Sequence, residues 1–423
     1  MALKSAKIKS LHALEILDSR GIPTLEVSVV LYDGTVGCAS VPAGTSSGSH
    51  EAYELRDHDE KRYRGQGMMR AIESVEKKIF RHVEGMVVDS QQEIDKAIVS
   101  ADPDPQKSHI GSNAALGVSL ACARAAATVS GLPLYRYIRE AYQMPDTRYR
   151  LPQPMFNLLN GGAHADSGMD IQEFMLVPQA ASFAESVRWA AETFAELKDI
   201  LASRGLAVGV GLEGGFSPGL SGNREALNVL AQAIQRVSLP ADSARIALDV
   251  AATLLTRGGQ AGEYFFKREK ASFSRDQLIA WYAELAKTYP ILSIEDGLGE
   301  DDWAGWQILC KRLRDTILVV GDDLTVTSTQ RLQKAIDTQA ISALIIKPNQ
   351  VGTLSQTIAC AQLAHQHGIK RIVSHRSGDT PDTFIADLAV ALGAEYIKAG
   401  SVTRGERVAK YNRLLQIEKE LSI

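Results

Sequence analysis

Six apolar runs in the second half of this chain each end in an ionisable or metal-liking residue. They are IALDV ending at Asp249, ILSIED at Glu295, ILVVGDD at Asp322, ALIIK at Lys347, RIVSHRS at His375 and YIK at Lys398. From Glu295 onward these residues recur about every 25 positions, the length of one strand-plus-helix unit of an α/β barrel. A charge at the tail of a buried strand is costly unless it is used or paired. Repeated in this way, carboxylates and lysines point to a metal-assisted site at the C-terminal rim of a barrel.

Asp249, Glu295 and Asp322 offer three hard oxygen ligands from three strands, a set that suits Mg²⁺. No Cys/His cluster supports zinc. The competing reading for any one of these acids is a structural pair with a barrel lysine or arginine. Lys347 and Lys398 are the next pair. Two ammonium groups at neighbouring strand ends repel, and a nearby dication depresses their pKa values further. A lysine so depressed can act as a general base near neutral pH. The alternative is that both lysines simply neutralise the carboxylates.

Glu213 lies in Gly211-Leu212-Glu213-Gly214-Gly215, where glycines let the backbone pass close to a ligand. It is a candidate general acid, although such a residue taken alone reads as part of a turn. The stretch Gly209 to Gly214 also matches GxGxxG. A dinucleotide site needs a helix to begin there, whereas Phe216-Ser217-Pro218-Gly219 follows and breaks one. His375-Arg376-Ser377 combines a planar guanidinium fork and a hydroxyl, suited to a phosphate or carboxylate. His164 sits in the glycine-rich stretch 160–166 after an apolar run, a position that by itself reads as structural.

The N-terminal part has a different pattern. Leu25, Val27, Val29 and Leu31 alternate with polar residues as on a half-buried antiparallel strand. Asp33-Gly34 supplies a hairpin turn, and Val36 to Val41 reads as the return strand. Residues 42–49 are small and polar and read as a mobile surface loop. Helical patterns follow at Met69–Val83, Gln92–Ile98 and Asn113–Ser130, the last capped by Asn113 and ended by Gly131. Residues 1–135 thus read as an α+β domain. Residues 145–423 alternate strand and helix, the sign of a parallel α/β barrel. Its eight strands are counted as Glu173–Val177, Leu206–Gly211 and the six charged-end runs.

Composition narrows the function. A net charge of -4 disfavours a general nucleic-acid or polybasic membrane role. The four cysteines are scattered without a CxxC, as expected of reduced thiols in the cytoplasm. Met1 to Leu11 holds no apolar signal core, and no run approaches a membrane span.

With these residues in view, the chain resembles the enolase family over essentially its whole length. The matching segments include LDSRG (17–21), GSHEAYELRD (48–57), NGGAHAD (160–166), DIQEF (170–174), EGG (213–215), SIEDGL (293–298), GDDLTVT (321–327), IIKPNQVGT (345–353), SHRSGDT (374–380) and IKAGS (397–401). The resemblance implies an eight-stranded TIM-like barrel whose first strands depart from strict alternation, preceded by the smaller domain. It implies dehydration of 2-phosphoglycerate in glycolysis, and a homodimer or larger even assembly. By matching positions, Asp249, Glu295 and Asp322 would hold Mg²⁺, Lys347 would be the base and Glu213 the acid. Glu173 and Lys398 would support them. His164, Gln172, His375, Arg376, Ser377 and Lys398 would meet the substrate, and the 42–49 loop would close over it.

The match fails near the substrate. Ala43 replaces a serine that in the family binds a second, substrate-linked Mg²⁺. His50 stands where arginine is common, Ala163 where Glu or Gln is usual, Leu212 where an acid precedes the EGG triplet, and Pro348 where a larger apolar residue is common. Three readings follow: a divergent enolase, an enolase-like enzyme acting on a related phosphonate or phospho-carboxylate, or a non-catalytic binding protein on this fold.

Overall fold

The computed structural model describes residues 6–44, 48–144, 149–165, 168–256 and 262–422. The N-terminal sheet consists of β1 (Ile8–Leu17), β2 (Pro23–Leu31) and β3 (Val36–Ser40), antiparallel in the order β1-β2-β3. The expected hairpin is present, with Val27 paired to Ala39 in register. β1 is an addition to the sequence reading; its half-exposed edge position gives it a mixed pattern with no clean alternation.

Helix Ser112–Ser130 lies buried along most of its length against this sheet. Small residues allow the close approach. A Cβ on Gly37 would meet the Ala121 carbonyl at 2.1 Å, and one on Gly117 would meet Val27 at 2.4 Å. Gly131 closes the helix in the left-handed region (φ 66°) as expected. Asn113 does not cap its start. Its side-chain amide instead accepts from the Leu55 N–H and donates to the Leu55 carbonyl, both at 3.1 Å. The capping position belongs to Gly111, because Asn113 is already buried inside the first turn.

The second domain is a closed barrel. Its strands are β4 (Gln153–Asn160), β5 (Glu173–Pro178) and β6 (Ala244–Asp249), followed by a peripheral hairpin, β7 (Glu263–Phe266) with β8 (Ala271–Ser274). β9 (Ile291–Glu295), β10 (Leu318–Gly321), β11 (Ala343–Ile346), β12 (Lys370–Ser374) and β13 (Tyr396–Lys398) complete it. The ring runs β4-β5-β6-β9-β10-β11-β12-β13 and back to β4. β5 is antiparallel to both neighbours and every other pairing is parallel. The departure from alternation therefore sits at β4-β5-β6, as the resemblance implies.

One expected strand is corrected. Leu206–Gly211 forms only an isolated bridge between Val210 and Phe216, and Val210 is 41% exposed. Glycines at 205, 209 and 211 leave too few side chains to pack as a barrel stave. Gln153–Asn160 takes its place and is buried from Pro154 onward.

The lumen explains the charged strand ends. Met155, Met175, Val177, Ala247, Val320, Ala343, Ile345 and Ile372 fill the barrel as one apolar cluster. Side chains on a strand alternate faces with period two. Two residues beyond these lumen positions, toward the mouth, come Asn157, Glu173, Asp249, Asp322, Lys347 and Ser374. The charged ring is thus the next inward layer, stacked on a dry core.

The two domains are joined by polar contacts. Arg124 holds Asp382 bidentately at 2.6 and 2.7 Å, and Asp95 accepts from the Ser355 N–H at 2.7 Å. Ala43 and Gly378 exchange backbone hydrogen bonds at 2.7 and 2.9 Å, which anchors the start of the 42–49 segment. Its residues 45–47 lie outside the described residues.

Candidate active site

Neighbouring strands bring the acids together by register. Glu173 on β5 is level with Asp249 on β6, and Asp249 with Glu295 on β9. Lys398 on β13 reaches across the mouth. Its ammonium lies 2.8 Å from Asp249, 2.9 Å from Glu295 and 3.2 Å from Glu173. Lys347 pairs with Asp322, whose other oxygen accepts from Gln350 at 3.0 Å. Glu173, Glu213, Asp249, Asp296, Asp322, Asp323, Lys347, Lys398 and the 374–377 segment line one cleft with Gln172 and Ala251.

Charge is not balanced in this cleft. Burial and mutual repulsion push Glu173, Glu295 and Asp296 well above the usual carboxylate range, and Asp323 is pushed up to about 8. Burial acts the same way on Asp322, but the Lys347 charge and hydrogen bond prevail and hold it below its ordinary value. The lysines depart from the sequence expectation. Burial works to discharge them, yet the facing carboxylates raise both Lys347 and Lys398 above the ordinary lysine value. With the acids ion-paired this closely, attraction outweighs repulsion between the two ammonium groups.

Backbone strain marks the same rim. Ala251 (φ 48°), Asp296 (φ 42°), Val326 (φ 43°) and Thr327 (φ 54°) all occupy the left-handed region, which is unfavourable for β-branched residues. Thr327 uses the position. Its hydroxyl accepts from the Lys347 N–H at 2.9 Å and donates to Gln350 at 2.6 Å, fixing the backbone that carries Lys347.

Glu213 is 2% exposed and accepts from the Asn157 amide at 3.0 Å. Its loop is pinned at three successive carbonyls, by Arg407 at Leu212, by the Ser401 N–H at Glu213 and by Thr403 at Gly214. His375 Nε2 lies 3.6 Å from the Glu213 carboxylate. Burial holds this imidazole well below the ordinary histidine pKa, so it is neutral. Arg376 forks onto Glu51 at 2.8 and 3.1 Å, so an arriving anion has to share or displace that carboxylate. Gln172 borders Asp249, its amide 3.4 Å from Oδ2. His164 has its backbone in a short 3₁₀ turn, and its side chain lies outside the described residues.

Several participants were not legible from strand-end positions. Asp296 and Asp323 form, with Asp322, a group whose carboxylate oxygens lie within 4.8 Å of one another. The doubled acids in the segments IED and GDD were the available signal. Arg407 comes from a distant part of the chain and carries none, whereas Glu51 lies within the GSHEAYELRD segment without a strand end to mark it.

The donor set fits a hard dication. It is all oxygen, it is buried, and its acids outnumber the permanent cations that line the cleft with them. Glu173, Glu213 and His375 form a second close group. Because Arg407 donates to His375 Nδ1, the ring proton falls on Nε2, which then has no lone pair for a metal. Of the two groups, the aspartate side of the mouth is the one that suits the ion.

Comparison with known protein families agrees with this geometry across both domains. Residues 8–138 match the enolase N-terminal domain, and residues 148–423 match the enolase C-terminal TIM barrel domain.

Proposed function

Starting from a chain that belongs to the enolase family, we propose that it interconverts 2-phosphoglycerate and phosphoenolpyruvate by Mg²⁺-dependent loss of water. The single observation that carries this reading is the shared cleft. It holds a lysine, Lys347, and a buried acid, Glu213, together with a carboxylate-rich rim and the His375-Arg376-Ser377 segment.

Removing a proton α to a carboxylate builds up a dianionic enediolate, which water alone stabilises poorly. Enolase-superfamily sites are the general example of its solution, a lysine or histidine base beside bound Mg²⁺. In this chain Asp249, Glu295 and Asp322 would hold the ion, with Asp296 and Asp323 adding negative charge behind them. When bound, the ion supplies positive charge opposite the substrate carboxylate, where negative charge develops. Asp322 holds Lys347 charged; with that carboxylate engaged by the ion, the lysine would lose the pairing that keeps its proton, and in its neutral form it takes the α-proton. Arg376 and Ser377 hold the phosphate, and Lys398 places its ammonium on the carboxylate side. Glu213 then gives its proton to the departing hydroxide, which leaves as water and closes the proton balance.

A second reading is favoured by one observation. Ala163, where the family usually carries Glu or Gln, is exposed at a neighbouring cavity of about 470 Å³. That cavity shares Gln172 and Ala251 with the catalytic cleft and also presents Lys267 and Arg268. A larger phospho-carboxylate or phosphonate could extend into it. The deciding experiment is ultraviolet detection of phosphoenolpyruvate from 2-phosphoglycerate across a Mg²⁺ titration. Turnover that rises with Mg²⁺ supports the first reading. A folded protein that binds Mg²⁺ and shows no turnover rejects it and leaves the larger substrate.

A further inference from the structure

Arg407 comes from the helix Gly405–Leu421 and is 0% exposed. Its guanidinium spans two separate loops. One terminal nitrogen donates to His375 Nδ1 and to the Arg376 carbonyl at 2.6 Å. The other donates to the carbonyls of Ser377 at 2.7 Å and Leu212 at 3.2 Å. Gly400 makes room for this side chain. A Cβ there would meet Arg407 Cδ at 2.7 Å and the Glu213 carbonyl at 2.9 Å. The stem therefore threads between the strand end at Lys398 and the loop that carries Glu213.

The contact with Nδ1 has a chemical consequence. A guanidinium has only donors, so Nδ1 must accept and the single ring proton of the neutral imidazole must sit on Nε2. Nε2 is buried with no hydrogen-bond partner among the described residues, and it faces the Glu213 carboxylate at 3.6 Å. An unmet buried donor beside an acid is a group waiting for that acid to ionise.

We propose that Arg407 is a positioning residue for the acid half of the reaction. By accepting no proton itself, it locks His375 as the Nε2–H tautomer aimed at Glu213. The inference rests on Glu213 acting as the acid. When Glu213 has given its proton to the departing hydroxide, the His375 Nε2–H donates to the carboxylate left behind. No proton changes hands in that contact, and it lowers the cost of leaving a charge on a buried glutamate.

The test combines ¹⁵N–¹H correlation spectra of histidine-labelled protein with steady-state kinetics. His375 is assigned by its loss in His375→Asn. The wild-type spectrum is expected to show His375 as a single Nε2–H tautomer, and Arg407→Met is expected to mix the two. With turnover established, Arg407→Met should lower kcat by about 10- to 100-fold with a smaller change in KM. In a His375→Asn background the same substitution should cost less than about threefold, since the partner through which it acts is gone. Arg407→Lys, which keeps a donor, should recover part of the loss. A wild-type Nδ1–H tautomer, or additive losses in the double variant, would overturn the proposal. The wild-type spectrum decides even if Arg407→Met does not fold. It also decides if neither candidate substrate turns over, an outcome that would sink the proposed reaction alone.

Discussion

At the barrel mouth, Lys398 serves three carboxylates at once, and Glu173 and Glu295 are still pushed far above their ordinary range. Behind the His375 loop, Lys410 is in the opposite position. It is 1% exposed, and its three ammonium protons meet Asp379, the Thr380 carbonyl and the Glu406 carbonyl at 2.7, 2.7 and 2.8 Å. Both assemblies bury charge among strand ends and loops. The second is saturated, so nothing further can bind there and its role is to hold the loop. The first carries an excess of acid that only another cation can offset. Incomplete compensation, rather than burial of charge as such, separates a site from a brace.

The largest effect expected from this contrast is on turnover. Lys347→Met and Glu213→Gln should each lower kcat by about 10²- to 10⁴-fold, the usual worth of a positioned acid or base, while the melting transition stays cooperative. Equal loss of kcat from a saturated-brace variant that remains folded would erase the distinction. Lys410→Met should instead lose stability, by up to roughly 3–5 kcal/mol, because it takes the nearer cation from buried Asp379 and leaves only Arg407, 3.7 Å away. Lys398→Met should lose less at pH 6, since Glu173 and Glu295, two of the acids it serves, take up protons readily. Urea unfolding of the two variants compares them directly, and a Lys398 loss equal to that of Lys410 would contradict the contrast.

A pH dependence follows with a definite sign. Glu173 and Glu295 are raised well above 4.5, and Asp323 rises from 3.8 to about 8. Between the unfolded and folded values the native state holds more protons, so stability falls as pH rises. His375 acts in the other sense, since its pKa is lowered from 6.5. Its contribution is complete above pH 6.5 and declines below it. The window from pH 6.5 to 8 therefore isolates the acids. In chelator, thermal unfolding should weaken across that window. Mg²⁺ at about 100 times its Kd should restore roughly 2.7 kcal/mol and flatten the slope. A flat profile in chelator would mean that the mouth carries no excess charge.

What could be read from the chain follows the same divide. The mouth is legible because each charged residue lies at the end of its own apolar strand, so local pattern and position at the mouth coincide at Asp249, Glu295, Asp322, Lys347 and Lys398. Period-two alternation then stacks them into one layer without further information. The brace was not legible. Arg407 and Lys410 sit on a helix whose heptad-like charges look solvent-facing, and only the fold brings them under residues 375–380. β4 is hidden in the sequence because a fully buried strand has no alternation to display, whereas Leu206–Gly211 shows an apolar pattern without becoming a stave. Asparagine at a helix start usually caps it, but at Asn113 tertiary contact with Leu55 claims the amide first.

Lys107 tests the contrast at its weakest point, where a buried charge is neither saturated nor part of the mouth. It is 2% exposed, and among the described residues its ammonium donates only to the Val351 carbonyl, at 2.7 Å, across the domain seam. Burial lowers its pKa from 10.5 to about 8. Between those values the unfolded chain binds more protons than the native one, so this residue's contribution improves as pH rises from 8 to 10.5 and its full penalty stands at pH 7. The fall to about 8 corresponds to roughly 3 kcal/mol. Replacing the lysine also leaves the Val351 carbonyl unpaired, at roughly 1–3 kcal/mol. Lys107→Met should therefore stabilise the protein by about 1 kcal/mol at pH 7 and destabilise it by a similar amount above pH 10.5. A crossover in paired urea titrations at the two pH values is the expected result. Destabilisation of the same size at both would show that Lys107 is a fully compensated brace like Lys410, despite having a single acceptor.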